Sequence, residues 1–120
     1  MKKLFVSLAL GAAALSASNA ALSATACSGT AGNGATVTNS TTGTLFVRVS
    51  FVAKCSANVL ANYEDQTTTF AVASGSKKGK NTFIGNTAGG AVKPNATCPA
   101  SGCTTTELGT ALTAAKAMSS

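Results

Sequence analysis

The chain contains no histidine and no tryptophan, and only three acidic residues, Glu64, Asp65 and Glu107, among 120. Without histidine the commonest general base is missing, and a Ser-His-Asp or Cys-His arrangement is impossible. Glu64 and Asp65 are sequence neighbours, so on an extended segment they point to opposite faces, poor geometry for a glycosidase pair. They read as a solvated turn. Serine and lysine are plentiful, but nothing singles out a Ser–Lys dyad. The glycines do not spell G-x-x-x-x-G-K-[ST], which removes the phosphate-binding loop. These absences point to a non-catalytic protein without a cofactor.

Long hydrophobic runs are also scarce. The one that exists, residues 4–15, is too short for a membrane-spanning helix of about 20 residues. It follows the basic start Met1-Lys2-Lys3 and precedes the small residues of Ser18-Asn19-Ala20, the layout of a bacterial-type secretory signal peptide over residues 1–20. The mature chain is then a single domain from Ala21 to Ser120, with no transmembrane segment expected. A second small-residue site, Ala24-Thr25-Ala26, lies directly before Cys27, as in a lipoprotein. That reading expects a large aliphatic residue where Ala24 stands. Export places the product outside the cell or on its surface, with the periplasm as transit or alternative.

Losing Lys2 and Lys3 leaves seven basic and three acidic residues, a net charge of +4. Three of these charges are concentrated at Lys77, Lys78 and Lys80. The remaining surface must be built from Thr, Ser, Asn, Gly and Ala, a composition common in secreted β proteins and in subunits that pack into assemblies.

The four cysteines, Cys27, Cys55, Cys98 and Cys103, are an even set in an exported chain, which predicts two disulfides with three possible connectivities. Pro99 and Gly102 bend the interval between Cys98 and Cys103 and favour pairing those two, leaving Cys27 for Cys55. The longer loop is worth roughly 3 kcal/mol in the chain-entropy description. Zinc is disfavoured because the sequence has neither histidine nor a C-x-x-C pair. No metal ligand set is predicted, and C-x-x-x-x-C is not the thioredoxin-type redox spacing.

Residues 21–43 are low in complexity and read as a flexible N-terminal segment. Within them Leu22, Ala24 and Ala26 alternate with smaller polar residues as a weak strand. Residues 44–55, TLFVRVSFVAKC, alternate strongly, with Val47, Val49, Phe51, Ala53 and Cys55 on one face. That pattern predicts a long central strand. Further strands are expected over 67–73 and 81–85, joined by a hairpin loop at 75–81, and an edge strand at 91–94 because Pro94 cannot donate to an inner ladder. Residues 58–63 are ambiguous between strand and turn.

Thr104-x-x-Glu107 fits a capping box. Leu108, Ala111, Leu112 and Ala115 then repeat at helical spacing, predicting a helix over about 105–117. The fold class is therefore mainly β: a small disulfide-bonded β-sandwich with a short C-terminal helix, occupying 44–120. With five mature aromatics, the core must consist mostly of small aliphatic residues.

The exported β domain of about 100 residues, its early disulfide and its loose alternating N-terminal segment together resemble bacterial fimbrial and extracellular filament subunits. That resemblance implies donor-strand complementation, in which an N-terminal extension completes the sheet of the next subunit. Residues 21–26, with Leu22, Ala24 and Ala26, would be the donor. The layout departs from chaperone–usher subunits because a helix, not a final aromatic-bearing strand, ends the chain. It also lacks the Gly–Phe junction and long hydrophobic helix of type IV pilins. The leading expectation is a structural or adhesive subunit that self-associates into a fimbrial or biofilm-matrix homopolymer. The alternative is a monomeric binding module whose Lys77, Lys78 and Lys80 contact an anionic polysaccharide, extracellular DNA or the cell surface. A small secreted enzyme or inhibitor has no residue that speaks for it.

Overall fold

A computed structural model describes residues 22–39 and 45–118. The expected leader, residues 1–20, lies outside them. Seven strands and one helix follow in chain order: β1 (Leu22–Ser28), β2 (Gly32–Val37), β3 (Phe51–Cys55), β4 (Val59–Asp65), β5 (Phe70–Ser76), β6 (Asn81–Asn86), β7 (Lys93–Thr97) and α1 (Thr105–Lys116). The fold is mainly β, with two sheets, two disulfides and one short C-terminal helix.

Strands β4 to β7 form an antiparallel meander, and β1 returns beside β4 to give the order β1-β4-β5-β6-β7. Strands β2 and β3 pair separately as a two-stranded antiparallel ribbon. Proline in β7 sits on an edge strand, as its missing N–H requires. The ambiguous residues 58–63 resolve into β4, an inner strand flanked by β1 and β5.

The helix covers one face of the large sheet. Thr104 caps it: its hydroxyl accepts from the Thr106 N–H, and the Glu107 carboxylate accepts from the Thr104 N–H at 2.8 Å. Leu108, Ala111, Leu112 and Ala115 are the buried helix residues, as their spacing predicted. Ala111, Leu112 and Ala115 meet Ala71, Ala73 and Ile84 of the sheet, and Leu60 joins Leu108 beside Cys98 and Cys103. Small residues make this contact possible. A Cβ at Gly75 would stand 3.0–3.2 Å from Cys103 and Leu108, so β5 reads Ala-x-Ala-x-Gly where the helix approaches. Asn86 Nδ2 donates to the Ala115 carbonyl at 2.9 Å, and Lys116 pairs with Glu64 at 3.0 Å, fixing the far end of the helix.

Two expectations need correction. Within the described residues 45–55, the predicted long strand over 44–55 is a strand only from Phe51, and it lies in the ribbon, not at the centre of the large sheet. The reason is Asp65. Its carboxylate accepts from the Phe46 N–H at 2.8 Å and from the Val47 N–H at 3.2 Å, and the Phe46 N–H is shared with the Gln66 carbonyl at 2.9 Å, so both donors turn to the end of β4 and not to β2. Val47 and Cys55 of the predicted inner face are buried, but Val49 and Phe51 are exposed. Secondly, Glu64 and Asp65 are not a solvated turn. Both belong to β4; Asp65 is fully buried, and Glu64 holds the helix.

Within the segment 21–43, residues 22–39 contribute β1 and β2, held by the β4 ladder and by the Cys27–Cys55 disulfide. Cys98 pairs with Cys103. Both disulfides therefore follow the favoured connectivity.

Candidate functional site

Alternation places Val59, Ala61, Tyr63 and Asp65 of β4, Phe70, Val72, Ser74 and Ser76 of β5, and Asn81, Phe83 and Gly85 of β6 on the sheet face opposite the helix. This face is covered at one end only. There Val37 of β2 and Val47, in the residues leading into β3, lie over Tyr63, with Ala26, Phe70 and Val72 at the margin. Tyr63 and Phe70 stack with ring centroids 5.3 Å apart. Burial raises the Tyr63 pKa above the usual phenol value, and the neighbouring Asp65 charge raises it further.

At the other end the face is open. A groove of about 300 Å³ is lined by Val59, Ser74, Ser76, Lys80, Asn81 and Phe83. Phe83 is 41 % exposed there. Ser74 pairs across the ladder with Phe83, and Val59 with Ser76, so the lining forms a cross-strand patch on rigid strands.

The basic loop borders this groove. Lys77, Lys78 and Lys80 occupy the turn between β5 and β6, and all three are exposed. The turn is braced from behind by the Cys98–Cys103 loop: the Cys98 N–H donates to the Lys80 carbonyl at 2.6 Å and the Cys103 N–H to the Ser76 carbonyl at 3.0 Å. Gly102, at φ 110°, presses its Cα against the Lys77 carbonyl, where an added Cβ would collide with backbone. The three lysines are not equivalent. The Lys77 stem lies across Gly29 in the β1–β2 turn, Lys80 lines the groove, and Lys78 points to neither.

No acidic side chain is at hand for them. Glu64 is taken by Lys116, Asp65 by the backbone at Phe46 and Val47, and Glu107 by the helix cap. The hydrogen bonds from Thr104 hold the Glu107 carboxyl below its ordinary pKa. These three are all the carboxylate side chains in the sequence.

The other predicted residues lie elsewhere. Leu22, Ala24 and Ala26 are on β1, an edge strand, paired with β4 of their own chain. That ladder slips register between Thr25 and Cys27, and opposite the slip Asn62 Oδ1 is buried without a hydrogen-bond partner among the described residues. All four cysteine sulfurs are consumed in disulfides. Sequence reasoning missed two features. One is the groove, whose lining comes from three strands. The other is an apolar patch at the ribbon, where Phe46, Val49, Phe51 and Val52 are 42–77 % exposed. The hydrophobicity of residues 46–52 is itself the signal for the patch, but alternation assigns Val49 and Phe51 to a buried face and Phe46 and Val52 to a mixed one.

Among the described residues no helix is long and apolar enough to cross a membrane. Compared with models of known protein families, with curated proteins and with solved structures, the chain matches none. Its own residues therefore carry the functional reading.

Proposed function

We propose that this protein is a non-catalytic, exported structural or adhesive subunit that self-associates into a fimbrial or matrix filament. The observation that carries the reading is the unfinished side of the sandwich. Four large apolar residues, Phe46, Val49, Phe51 and Val52, are exposed within seven positions of one another around the ribbon. Phe51 and Val52 are consecutive in β3 and so present apolar side chains on both faces of the ribbon, and large apolar residues clustered in solvent mark an interaction site. Beside it runs β1, an edge strand with unpaired backbone groups along one side.

Strand exchange has a natural boundary here. Cys27 is fixed covalently to Cys55, so the part of β1 free to leave is 22–25, and the register slip falls between these residues and Cys27. Buried polar atoms without partners cost about 1–3 kcal/mol, so the orphaned Asn62 Oδ1 weakens the ladder at the same point. In the proposed filament, residues 22–25 of one copy pair with β4 of the next. Two disulfides are in keeping with an oxidising destination outside the cytoplasm.

Electron microscopy of the exported, oxidised protein tests this directly. Polymers are expected at high concentration and are expected to be lost when residues 21–26 are deleted. A protein that remains monomeric at every concentration, or polymers indifferent to the deletion, would overturn the proposal.

A further inference from the structure

We infer that the groove between Val59 and Phe83 binds a uronic acid unit of an acidic polysaccharide, with Lys80 as the carboxylate-binding residue. This goes beyond self-association and does not depend on it, since the groove lies at the opposite end of the face from the ribbon patch.

Three observations converge. The first is shape and chemistry: about 300 Å³ lies at the small end of ligand sites. It suits one ring-sized unit, not an extended apolar peptide. Its floor and walls combine apolar surface from Val59 and Phe83 with hydroxyl and amide groups from Ser74, Ser76 and Asn81. A sugar ring has this same dual character. Its C–H face packs on an aromatic face, and its hydroxyls exchange hydrogen bonds with serine and asparagine.

Charge is the second. Lys80 lines the groove, Lys77 and Lys78 stand in the same turn outside its lining, and all three carboxylate side chains of the sequence are engaged elsewhere. An ammonium group with no internal counter-charge selects an anionic ligand.

Preorganisation is the third. The lysine turn is clamped by backbone hydrogen bonds to the Cys98–Cys103 loop, and the other lining residues come from neighbouring strands β4, β5 and β6. The site therefore needs little ordering on binding. Nucleic acid fits less well. Single strands are held by successive aromatic platforms along a basic track, whereas the groove offers one aromatic, Phe83.

The test is calorimetric titration of the full exported protein with polygalacturonate oligomers, their methyl esters, dextran sulfate and a single-stranded oligodeoxynucleotide. The free-acid oligomer is expected to bind, and the neutral ester to bind at least about tenfold more weakly, as expected when a charge-assisted contact is lost. Lys80→Gln and Phe83→Ala should each weaken binding by about tenfold or more, losses of the size typical of a central contact. Lys78→Gln should change it by less than about threefold, as for a peripheral charge. Phe83→Tyr, which keeps the aromatic face, should retain binding and guards against misfolding of the alanine variant.

No binding of the free acid, equal binding of the ester, or insensitivity to both Phe83→Ala and Lys80→Gln would overturn the inference. So would dextran sulfate or the oligonucleotide binding more tightly than the uronate, since that is charge alone. Filament formation by a Lys80→Gln variant separates failure of this site from failure of the filament reading.

Discussion

The two faces of the five-stranded sheet are finished differently. On one, α1 packs Ala111, Leu112 and Ala115 onto Ala71, Ala73 and Ile84, and Leu108 onto Leu60 beside the second disulfide, every one of them buried. On the other, a two-stranded ribbon covers one end through Val37 and Val47, leaves Phe46, Val49, Phe51 and Val52 in solvent, and stops short of Phe83. The helix face is held by close packing of small side chains. The ribbon face is held by fewer large contacts, one covalent tie between Cys27 and Cys55, and the Asp65 carboxylate. A domain of this size has about 5–15 kcal/mol of stability. Losses on the two faces can therefore be compared against that total, and the proposed self-association draws on the ribbon face.

The sharpest way to break the comparison is to damage the helix face. Leu108→Ala removes a fully buried side chain that contacts both the sheet and the second disulfide. A loss of about 4 kcal/mol is expected, within the range for such truncations, and urea unfolding would measure it. Cutting the ribbon's covalent tie comes next. The double change Cys27→Ser and Cys55→Ser frees a loop of separation 28 and should cost roughly 3 kcal/mol. Hydrogen exchange should show β2 and β3 losing protection while β5 and β6 keep theirs. Equal loss in both places would mean the two faces are not separable.

A smaller change sharpens the role of the buried carboxylate. Asp65→Ala orphans the buried Val47 N–H and leaves the Phe46 N–H only its bond to the Gln66 carbonyl; it should cost about 2 kcal/mol, with the near-ultraviolet signal of Tyr63 changing most. The smallest effect is one of pH. Tyr63 is the only tyrosine, so it reports alone. Because burial raises its folded-state pKa, stability is complete below the unfolded value of about 10 and falls as pH rises through the folded value. Ultraviolet titration should place the folded midpoint above that of the denatured chain, and Tyr63→Phe should remove the alkaline loss.

Much of the helix face was legible in the sequence. Its capping box, its 3.6-residue spacing and its Ala-rich partner strand are local patterns, and the structure contains each of them. The hairpin that carries the lysines and the edge position of Pro94 were legible for the same reason. The ribbon face was not. Residues 44–55 alternate as a single long strand, and what interrupts them is a carboxylate 18 and 19 residues away. No period in the local sequence encodes that contact, so exposed residues such as Val49 and Phe51 read as core. Asp65 misled for the converse reason: beside Glu64 it looked like surface, and only the fold supplies the donors that make its burial tolerable. The groove is invisible to any local pattern because its lining is brought together by pairing across β4, β5 and β6.

The central claim is that the protein is closed on its helix face and open to its own copies on the other. Hydrogen exchange on the oxidised protein, dilute and then concentrated, addresses it most directly. New protection is expected at 22–25 and 49–52 on concentration, with the amides of α1 unchanged. Protection that is the same at both concentrations, or that is gained along α1 instead, would contradict it.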